Sequence, residues 1–137
     1  MNAENKMPGA PLVSIVDDDA SVRRSTRRLL HSSGLRAEAF ATADEFLLSG
    51  WMTETACLLL DVRMPEMDGL ELQRRLRESH RPIPIIFFSA RASEEEQRRA
   101  LEAGAVNFLR KPVSKEVLLR AIRAAIESPT NDRKEDL

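Results

Sequence analysis

The sequence predicts a single doubly wound α/β domain, and three observations lead to that prediction. Five short apolar segments alternate along the chain with five segments whose apolar residues recur at helical spacing. The third and fourth apolar segments, 56–60 and 83–88, are apolar nearly end to end, as strands buried on both faces of a parallel sheet are. The chain has 137 residues, of which 42% are hydrophobic, and this is enough for one core.

The first half of the chain carries two strand–helix repeats. Residues 12–16 form a β-rich run that stops at three aspartates, of which Asp19 suits the cap of a helix over 20–33. Gly34 follows that helix, where a left-handed residue is common. A second strand is predicted at 35–40, and Thr42 with Glu45 forms a capping-box pattern for a helix that reaches about residue 50.

The second half carries three further repeats. The predicted strands are 56–60, 83–88 and 105–109, and the predicted helices are 68–79, 93–104 and 114–127. Asp68 is expected to cap the first of these helices, with Gly69 supplying turn geometry, and Ser93 with Glu96 forms a second capping-box pattern. Pro84 falls near a strand start, where its missing N–H costs least. Strands that alternate with helices in this way need right-handed crossovers and a parallel sheet.

Composition limits the possible functions. The net charge is −1 with 31% charged residues, so no global field favours binding to nucleic acid or to a membrane surface. Cys57 is the sole cysteine, which excludes an internal disulfide and favours a cytoplasmic location, and no segment resembles a signal peptide or a membrane span. We expect a flexible N-terminal tail over 1–11, one domain over 12–127, and a polar tail or linker stub over 128–137.

Polar residues follow four of the five predicted strands within two positions. Ligands of open α/β sheets bind outside the carboxyl ends of the strands, so these residues are expected to share one shallow cleft. They are Asp17 and Asp18 after the first strand, Asp61 after the third, Ser89 after the fourth and Lys111 after the fifth. Taken alone, Asp61 is compatible with a metal ligand, a nucleophile or a turn residue that bonds its own backbone.

The composition of this cleft favours phosphate chemistry. Clustered carboxylates raise one another's pKa unless a cation lies between them, and an all-oxygen ligand set favours Mg²⁺ or Mn²⁺. Such an ion keeps free positions for water and a phosphate group. Lys111 adds a positive charge for a phosphate oxygen, and Ser89 adds a hydroxyl donor.

Across roughly residues 11 to 127 the chain resembles the receiver domains of two-component response regulators. The resemblance depends on four short motifs at successive strand ends: Asp17-Asp18, Asp61 with Met64-Pro65 and Asp68-Gly69, Ser89-Ala90, and Lys111-Pro112. The segment that begins at Asp61 is also similar to the subgroup joined to helix-turn-helix transcription factors of the nitrogen-fixation regulator type. The resemblance implies a flavodoxin-like sheet with strand order 2-1-3-4-5, and family members commonly have a cis bond at the Lys111-Pro112 position.

The resemblance also implies a role for each residue of the cleft. Asp61 would accept a phosphoryl group from a sensor histidine kinase or a phosphotransfer protein. Mg²⁺ would be bound by Asp17, Asp18, Asp61 and the backbone carbonyl of Arg63. Lys111 would pair with the phosphoryl group, and the Ser89 hydroxyl would bond to it.

Further residues are implied to control the output of the switch. Ser89 and Phe108 would move on phosphorylation and change the face formed by helix four, strand five and helix five. Arg63 and Arg91 occupy positions that influence phosphoryl lifetime in this family. The last helix is more apolar than one sheet face requires, so we expect a partner there, with a homodimer through helices four and five as the hypothesis.

Three alternatives compete with this interpretation. A receiver-like module that never takes phosphate would keep the fold, although such modules usually lack an acid or the lysine. A dehalogenase-type phosphatase needs a second acid two positions after its nucleophile, where this chain has Arg63. A flavodoxin-like flavin carrier needs a phosphate-binding loop after the first strand, where three aspartates would repel the phosphate. The sequence therefore predicts a signalling domain that catalyses only its own phosphotransfer and dephosphorylation.

Overall fold

The computed structural model describes residues 9–127 and has five strands and five helices that alternate along the chain. The predicted tail 128–137 and residues 1–8 of the other tail lie outside the described residues. The strands are β1 (Leu12–Val16), β2 (Arg36–Phe40), β3 (Thr55–Leu60), β4 (Ile85–Ser89) and β5 (Asn107–Arg110). The helices are α1 (Ala20–Ser32), α2 (Ala43–Leu48), α3 (Gly69–Glu78), α4 (Glu94–Glu102) and α5 (Lys115–Glu127).

The strands form one parallel sheet in the order β2-β1-β3-β4-β5, which confirms the predicted doubly wound fold. The core has two layers, one on each face of the sheet. On one face α2, α3 and α4 pack through residues such as Phe46, Leu72 and Ala100. On the other face α1 and α5 pack through residues such as Leu30 and Ile122. Residues 58–60 of β3 are at most 1% exposed, as its continuous apolar sequence predicts.

Most helix starts follow the predicted caps. Asp19 accepts the N–H groups of Ser21 and Val22, and Asp68 accepts that of Glu71. Ser93 and Glu96 form the complete reciprocal capping box at the start of α4. The capping box predicted for α2 differs in one hydrogen bond. The Glu45 carboxylate accepts the N–H of Ala41, the residue before the cap Thr42. These caps fix where the helices begin relative to the strand ends.

The element boundaries differ from the predicted ones mainly at β4 and β5. Strand β4 begins at Ile85, so Ile83 and Pro84 precede it, and the Pro84 carbonyl accepts a hydrogen bond from Leu58 N–H. Strand β5 begins at Asn107, two residues later than predicted, and extends to Arg110. Both strands therefore end one residue later than predicted, so that Ser89 is the last residue of β4 and Lys111 follows β5 directly. Among residues 9–127, no helix is long and apolar enough to cross a membrane.

Candidate functional site

Strands β1 and β3 lie side by side and bring three carboxylates together at the carboxyl edge of the sheet. Val16 pairs with Leu60, and the Asp61 N–H donates to the Val16 carbonyl at 3.0 Å. One carboxylate oxygen from each of Asp17, Asp18 and Asp61 lies within 4.8 Å of the other two. Asp17 and Asp61 are buried, whereas Asp18 is exposed, so the cluster is open to solvent on one side.

Asp17 is the most strongly restrained member of the cluster. Its Oδ1 accepts the N–H of Asp19 at 2.9 Å, and its Oδ2 accepts from Lys111 Nζ at 2.7 Å. Its backbone carbonyl accepts from Arg23 Nη1 at 2.8 Å. Because each bond fixes a different atom, the carboxylate keeps one orientation at the end of β1.

Lys111 reaches this cluster from the end of the edge strand β5. It follows β5 and a cis peptide bond joins it to Pro112. Its ammonium group lies 3.8 Å from Asp61 Oδ2 and 5.1 Å from the centroid of the Phe88 ring. Lys111 therefore neutralises part of the charge of Asp17 and Asp61 together, with the ring beneath it as a second electrostatic contact.

The ionised form of Asp61 is destabilised where it lies. Burial raises the pKa of Asp61, and the charge of Asp17 raises it further. Lys111, the neighbouring Ser89 hydroxyl and the Arg63 backbone lower this pKa, but the raising effects are larger. Any additional positive charge beside Asp61 therefore stabilises its ionised form.

Ser89 is the last residue of β4, and its side chain lies next to this cluster. The residue is fully buried, and its Oγ has no hydrogen-bond partner among the described residues, although it lies close enough to Asp61 to lower the pKa of that carboxyl. An unpaired buried hydroxyl is unfavourable, so Ser89 carries an unused donor beside Asp61. Phe108 lies on the neighbouring strand β5, is 8% exposed, and stacks on Phe87 with 5.6 Å between ring centroids. The structure therefore combines a buried Phe108 ring with a Ser89 hydroxyl that has no partner within the described part of the chain.

The donor set of the cluster fits Mg²⁺ or a similar hard cation. All three side chains offer carboxylate oxygens, and hard divalent cations prefer such oxygens over nitrogen or sulfur ligands. The exposure of Asp18 leaves room for the water ligands that Mg²⁺ retains. Burial of two like charges, only partly offset by Lys111, also favours binding of a cation.

The loop after Asp61 corrects one prediction. Gly69 was expected to supply turn geometry, but the residue with a left-handed backbone is Glu66, with φ of 67°. Gly69 is required for space, because a Cβ at this position would collide with the Asp61 carbonyl oxygen and press on the Phe87 ring. Its N–H donates to the Val62 carbonyl at 2.9 Å. The start of α3 is thus held directly against the backbone of Asp61.

Arg63 and Arg91 both line a cleft that includes Asp18 of the acidic cluster. Asp68 and Glu96 line the same cleft. Arg63 Nη2 donates to Glu96 Oε1 at 2.9 Å, an ion pair that joins the loop after β3 to the start of α4. The sequence predicts only a capping-box role for Glu96, because no sequence pattern links it to Arg63, 33 residues earlier.

Comparison with known proteins identifies the class of protein that this fold and site define. A family model described as the response regulator receiver domain matches residues 13–123. The chain therefore belongs to the response regulator receiver family.

Individual relatives agree with this assignment. The chain is 44% identical over 124 residues to the response regulator protein TodT of Pseudomonas putida, covering 90% of this chain and 55% of TodT. It is 34% identical to the transcriptional regulatory protein FixJ of Azorhizobium caulinodans, covering 95% of this chain and 62% of FixJ. A solved structure of the response regulator StyR superimposes with a TM-score of 0.83 at 40% identity, covering 93% of this chain and 65% of that one. The similarity to transcriptional response regulators is confirmed, and the chain spans only a little over half the length of these curated relatives.

Proposed function

We propose that this chain is a phosphorylation-dependent signalling switch in which Asp61 is the phospho-acceptor. One observation carries the proposal: the buried Asp61 carboxylate lies beside two further aspartates, 3.8 Å from Lys111 Nζ, and next to the unpaired Ser89 hydroxyl. A nucleophile, an acidic cation site, a counter-charge and a hydrogen-bond donor are the groups that phosphoryl transfer to a carboxylate needs.

The proposed transfer is a displacement at phosphorus. An oxygen of the Asp61 carboxylate forms a bond to the phosphorus of the donor, and the bond from phosphorus to the leaving group breaks with its electron pair on that group. Lys111 neutralises charge on the phosphoryl oxygens, and the Ser89 hydroxyl donates to one of them. Hydrolysis resets the switch when water attacks the same phosphorus and releases inorganic phosphate and the free carboxylate.

Asp17, Asp18 and Asp61, with the backbone carbonyl of Arg63, are the proposed ligands of Mg²⁺. The bound ion supplies charge neutralisation for the nucleophile and the phosphoryl oxygens. Lys111 holds Asp17 in one orientation, so this ligand is oriented before the ion binds. Mn²⁺ has the same ligand preference and should replace Mg²⁺.

The proposed output is a change in the face formed by α4, β5 and α5. Phosphorylation adds about −1.5 to −2 of charge and strong acceptor oxygens. The Ser89 hydroxyl then has a partner, and the β4–α4 loop moves toward Asp61. Phe108 already packs against Phe87, so its ring repacks when Ser89 moves, and its burial needs no polar partner because phenylalanine has no hydroxyl.

Three assignments belong to this proposal. The phosphoryl donor is a sensor histidine kinase or a phosphotransfer protein, as membership of the receiver family supports. The receiver domain is residues 12–127, it lies in the cytoplasm, and it binds neither nucleic acid nor a membrane directly. Its output is transcriptional, since TodT and FixJ are response and transcriptional regulators that extend well beyond the matched region.

Mass spectrometry of the intact protein tests the central assignment. Incubation with a small phosphodonor and Mg²⁺ should add one phosphoryl group to the wild type and none to Asp61→Asn or to protein kept in EDTA. Asp44→Asn is a matched control, because Asp44 is an acid in the first turn of α2 that is not a member of the cluster, and it should not change the gain. A gain that survives in Asp61→Asn would place the acceptor elsewhere, and no gain in the wild type would favour a phosphorylation-independent interaction module.

A further inference from the structure

The carboxylate of Glu96 has two partners that belong to different parts of the fold. Glu96 is the third residue of α4, and its Oε1 accepts the Ser93 N–H at 2.9 Å within the capping box. The same oxygen accepts from Arg63 Nη2 at 2.9 Å. One atom thus joins the start of α4 to the loop that follows Asp61.

This ion pair lines a cleft that also includes Asp18, one member of the acidic cluster around Asp61. The Arg63 backbone interacts with the Asp61 carboxylate. The side chains of Arg63 and Glu96 are 50% and 21% exposed, so the pair is accessible to solvent and weak enough to exchange partners. A phosphoryl group on Asp61 carries more charge than one carboxylate and offers several acceptor oxygens to the same guanidinium.

We propose that Glu96 is a positioning residue that restrains Arg63 and competes with the phosphoryl group on Asp61 for its guanidinium. This inference rests on the proposed function of Asp61. With Arg63 bound to Glu96, the phosphoryl group is open to the attacking water. With Arg63 on the phosphoryl oxygens, the charge of the acyl phosphate is neutralised and the approach of water is obstructed. Glu96 therefore shortens the lifetime of the phosphorylated state, and release of Arg63 loosens the tie to α4.

The test compares Glu96→Gln with Glu95→Gln. Glutamine keeps an acceptor for the Ser93 N–H, so the capping box survives in Glu96→Gln while the charge that holds Arg63 is removed. Glu95 is the preceding residue of α4 and pairs with Arg98, so Glu95→Gln removes the same charge from the same helix turn without touching Arg63. Each variant is also made with Arg63→Ala, which gives a double-mutant cycle.

The first measurement is the half-life of the phosphoprotein after the phosphodonor is removed. Mass spectrometry of the intact protein monitors the loss of the phosphoryl group. Glu96→Gln should lengthen the half-life by about two- to fivefold, the range that an exposed ion pair of this kind contributes. Glu95→Gln should leave it unchanged, and Arg63→Ala should shorten it. Adding Glu96→Gln to Arg63→Ala should have no further effect.

The second measurement needs neither metal nor phosphate. The Arg63 Nε–H resonance, assigned by its loss in Arg63→Ala, should shift in Glu96→Gln and stay in place in Glu95→Gln. A wild type that never gains a phosphoryl group would contradict the proposed function instead. If the wild type is phosphorylated, the inference is overturned by a Glu96→Gln effect that persists in Arg63→Ala, by an equal effect of Glu95→Gln, or by an unchanged half-life.

Discussion

At the scale of single residues, the site combines charges that oppose one another. The pKa of Asp61 is raised, first by burial and then by Asp17. The folded protein therefore binds this proton more tightly than the unfolded chain does. In the absence of metal, Asp61 favours the folded state at acidic pH, and this contribution is lost as the pH rises through the raised pKa. At neutral pH the ionised Asp61 therefore destabilises the folded state, and a bound cation offsets this destabilisation.

Replacement of Lys111 tests how much these opposing charges contribute to the free energy of unfolding. Lys111→Met leaves Asp17, which is 2% exposed, without its cationic partner. We expect a loss of roughly 2–4 kcal/mol in the free energy of unfolding in EDTA, the cost of breaking a largely buried pair from one side. Urea titration measures this loss, and Mg²⁺ should restore more stability to the variant than it adds to the wild type. An equal effect of Mg²⁺ on both proteins would contradict the shared role of Lys111 and the cation.

Ser89 should show the opposite balance between stability and function. Ser89→Ala removes a buried hydroxyl that has no partner among residues 9–127, so the free energy of unfolding should rise by about 0.5–1 kcal/mol. The variant should still gain one phosphoryl group on Asp61, since the nucleophile and the acids remain. The phosphorylated variant should fail to change the α4–β5–α5 face, which the Phe108 ring resonances report. Destabilisation by Ser89→Ala would mean that the hydroxyl is already paired in the unphosphorylated protein.

At the scale of elements, sequence patterns predicted what local chemistry determines and missed what distant contacts determine. The caps at Asp19, Asp68 and Ser93 were predictable because a helix start needs an acceptor within a few residues. The apolar sequence of β3 predicted its burial for a similar reason. The requirement for Gly69 was not predictable, since it depends on the Asp61 carbonyl and the Phe87 ring, which only the fold brings near. The Arg63–Glu96 pair was missed for the same reason.

Gly69 gives the element-scale prediction. Gly69→Ala should reduce the free energy of unfolding by about 2–3 kcal/mol, because its Cβ forces α3 away from the Asp61 backbone. It should also slow the phosphoryl gain, since Asp61 shifts relative to Lys111. Gly50→Ala is the matched control: φ at Gly50 is 84° and its surroundings are open, so the cost is backbone strain of about 1–2 kcal/mol with no effect on phosphorylation. Equal losses in the two variants would show that packing against Asp61 is unimportant.

At the scale of the whole molecule, the sheet order places the acidic cluster and the proposed output face at different positions that share contacts. The acidic cluster lies where β1 and β3 meet, and β5 forms one edge of the sheet, with α4 on one face and α5 on the other. Arg110 on β5 contacts the Phe108 ring and donates to the Ala92 carbonyl in the loop before α4. We therefore expect the proposed shift of the β4–α4 loop toward Asp61 to reach β5 through contacts that already exist.

Exposed apolar side chains on this edge suggest where a second copy binds. Leu101 at the end of α4, Val106 before β5 and Val117 on α5 are 43%, 37% and 41% exposed. The α4–β5–α5 face thus exposes apolar side chains from three segments, and we expect the proposed rearrangement of Phe108 to alter the surface between them. We expect the unphosphorylated chain to be mainly monomeric and the phosphorylated chain to form a homodimer through this face.

Light scattering with and without a phosphoryl mimic tests this expectation. Val117→Lys should keep the phosphoryl gain and prevent the increase in mass, because a charge would be buried at the interface. Leu48→Lys is the matched control, since Leu48 is 86% exposed on α2, on a different part of the surface, and its replacement should leave the dimer intact. Loss of the dimer in both variants would point to a different surface, and a mass unchanged by the mimic in the wild type would exclude phosphorylation-driven dimerisation. Because the phosphoryl gain is measured on the same samples, a failure to dimerise is distinguished from a failure to phosphorylate.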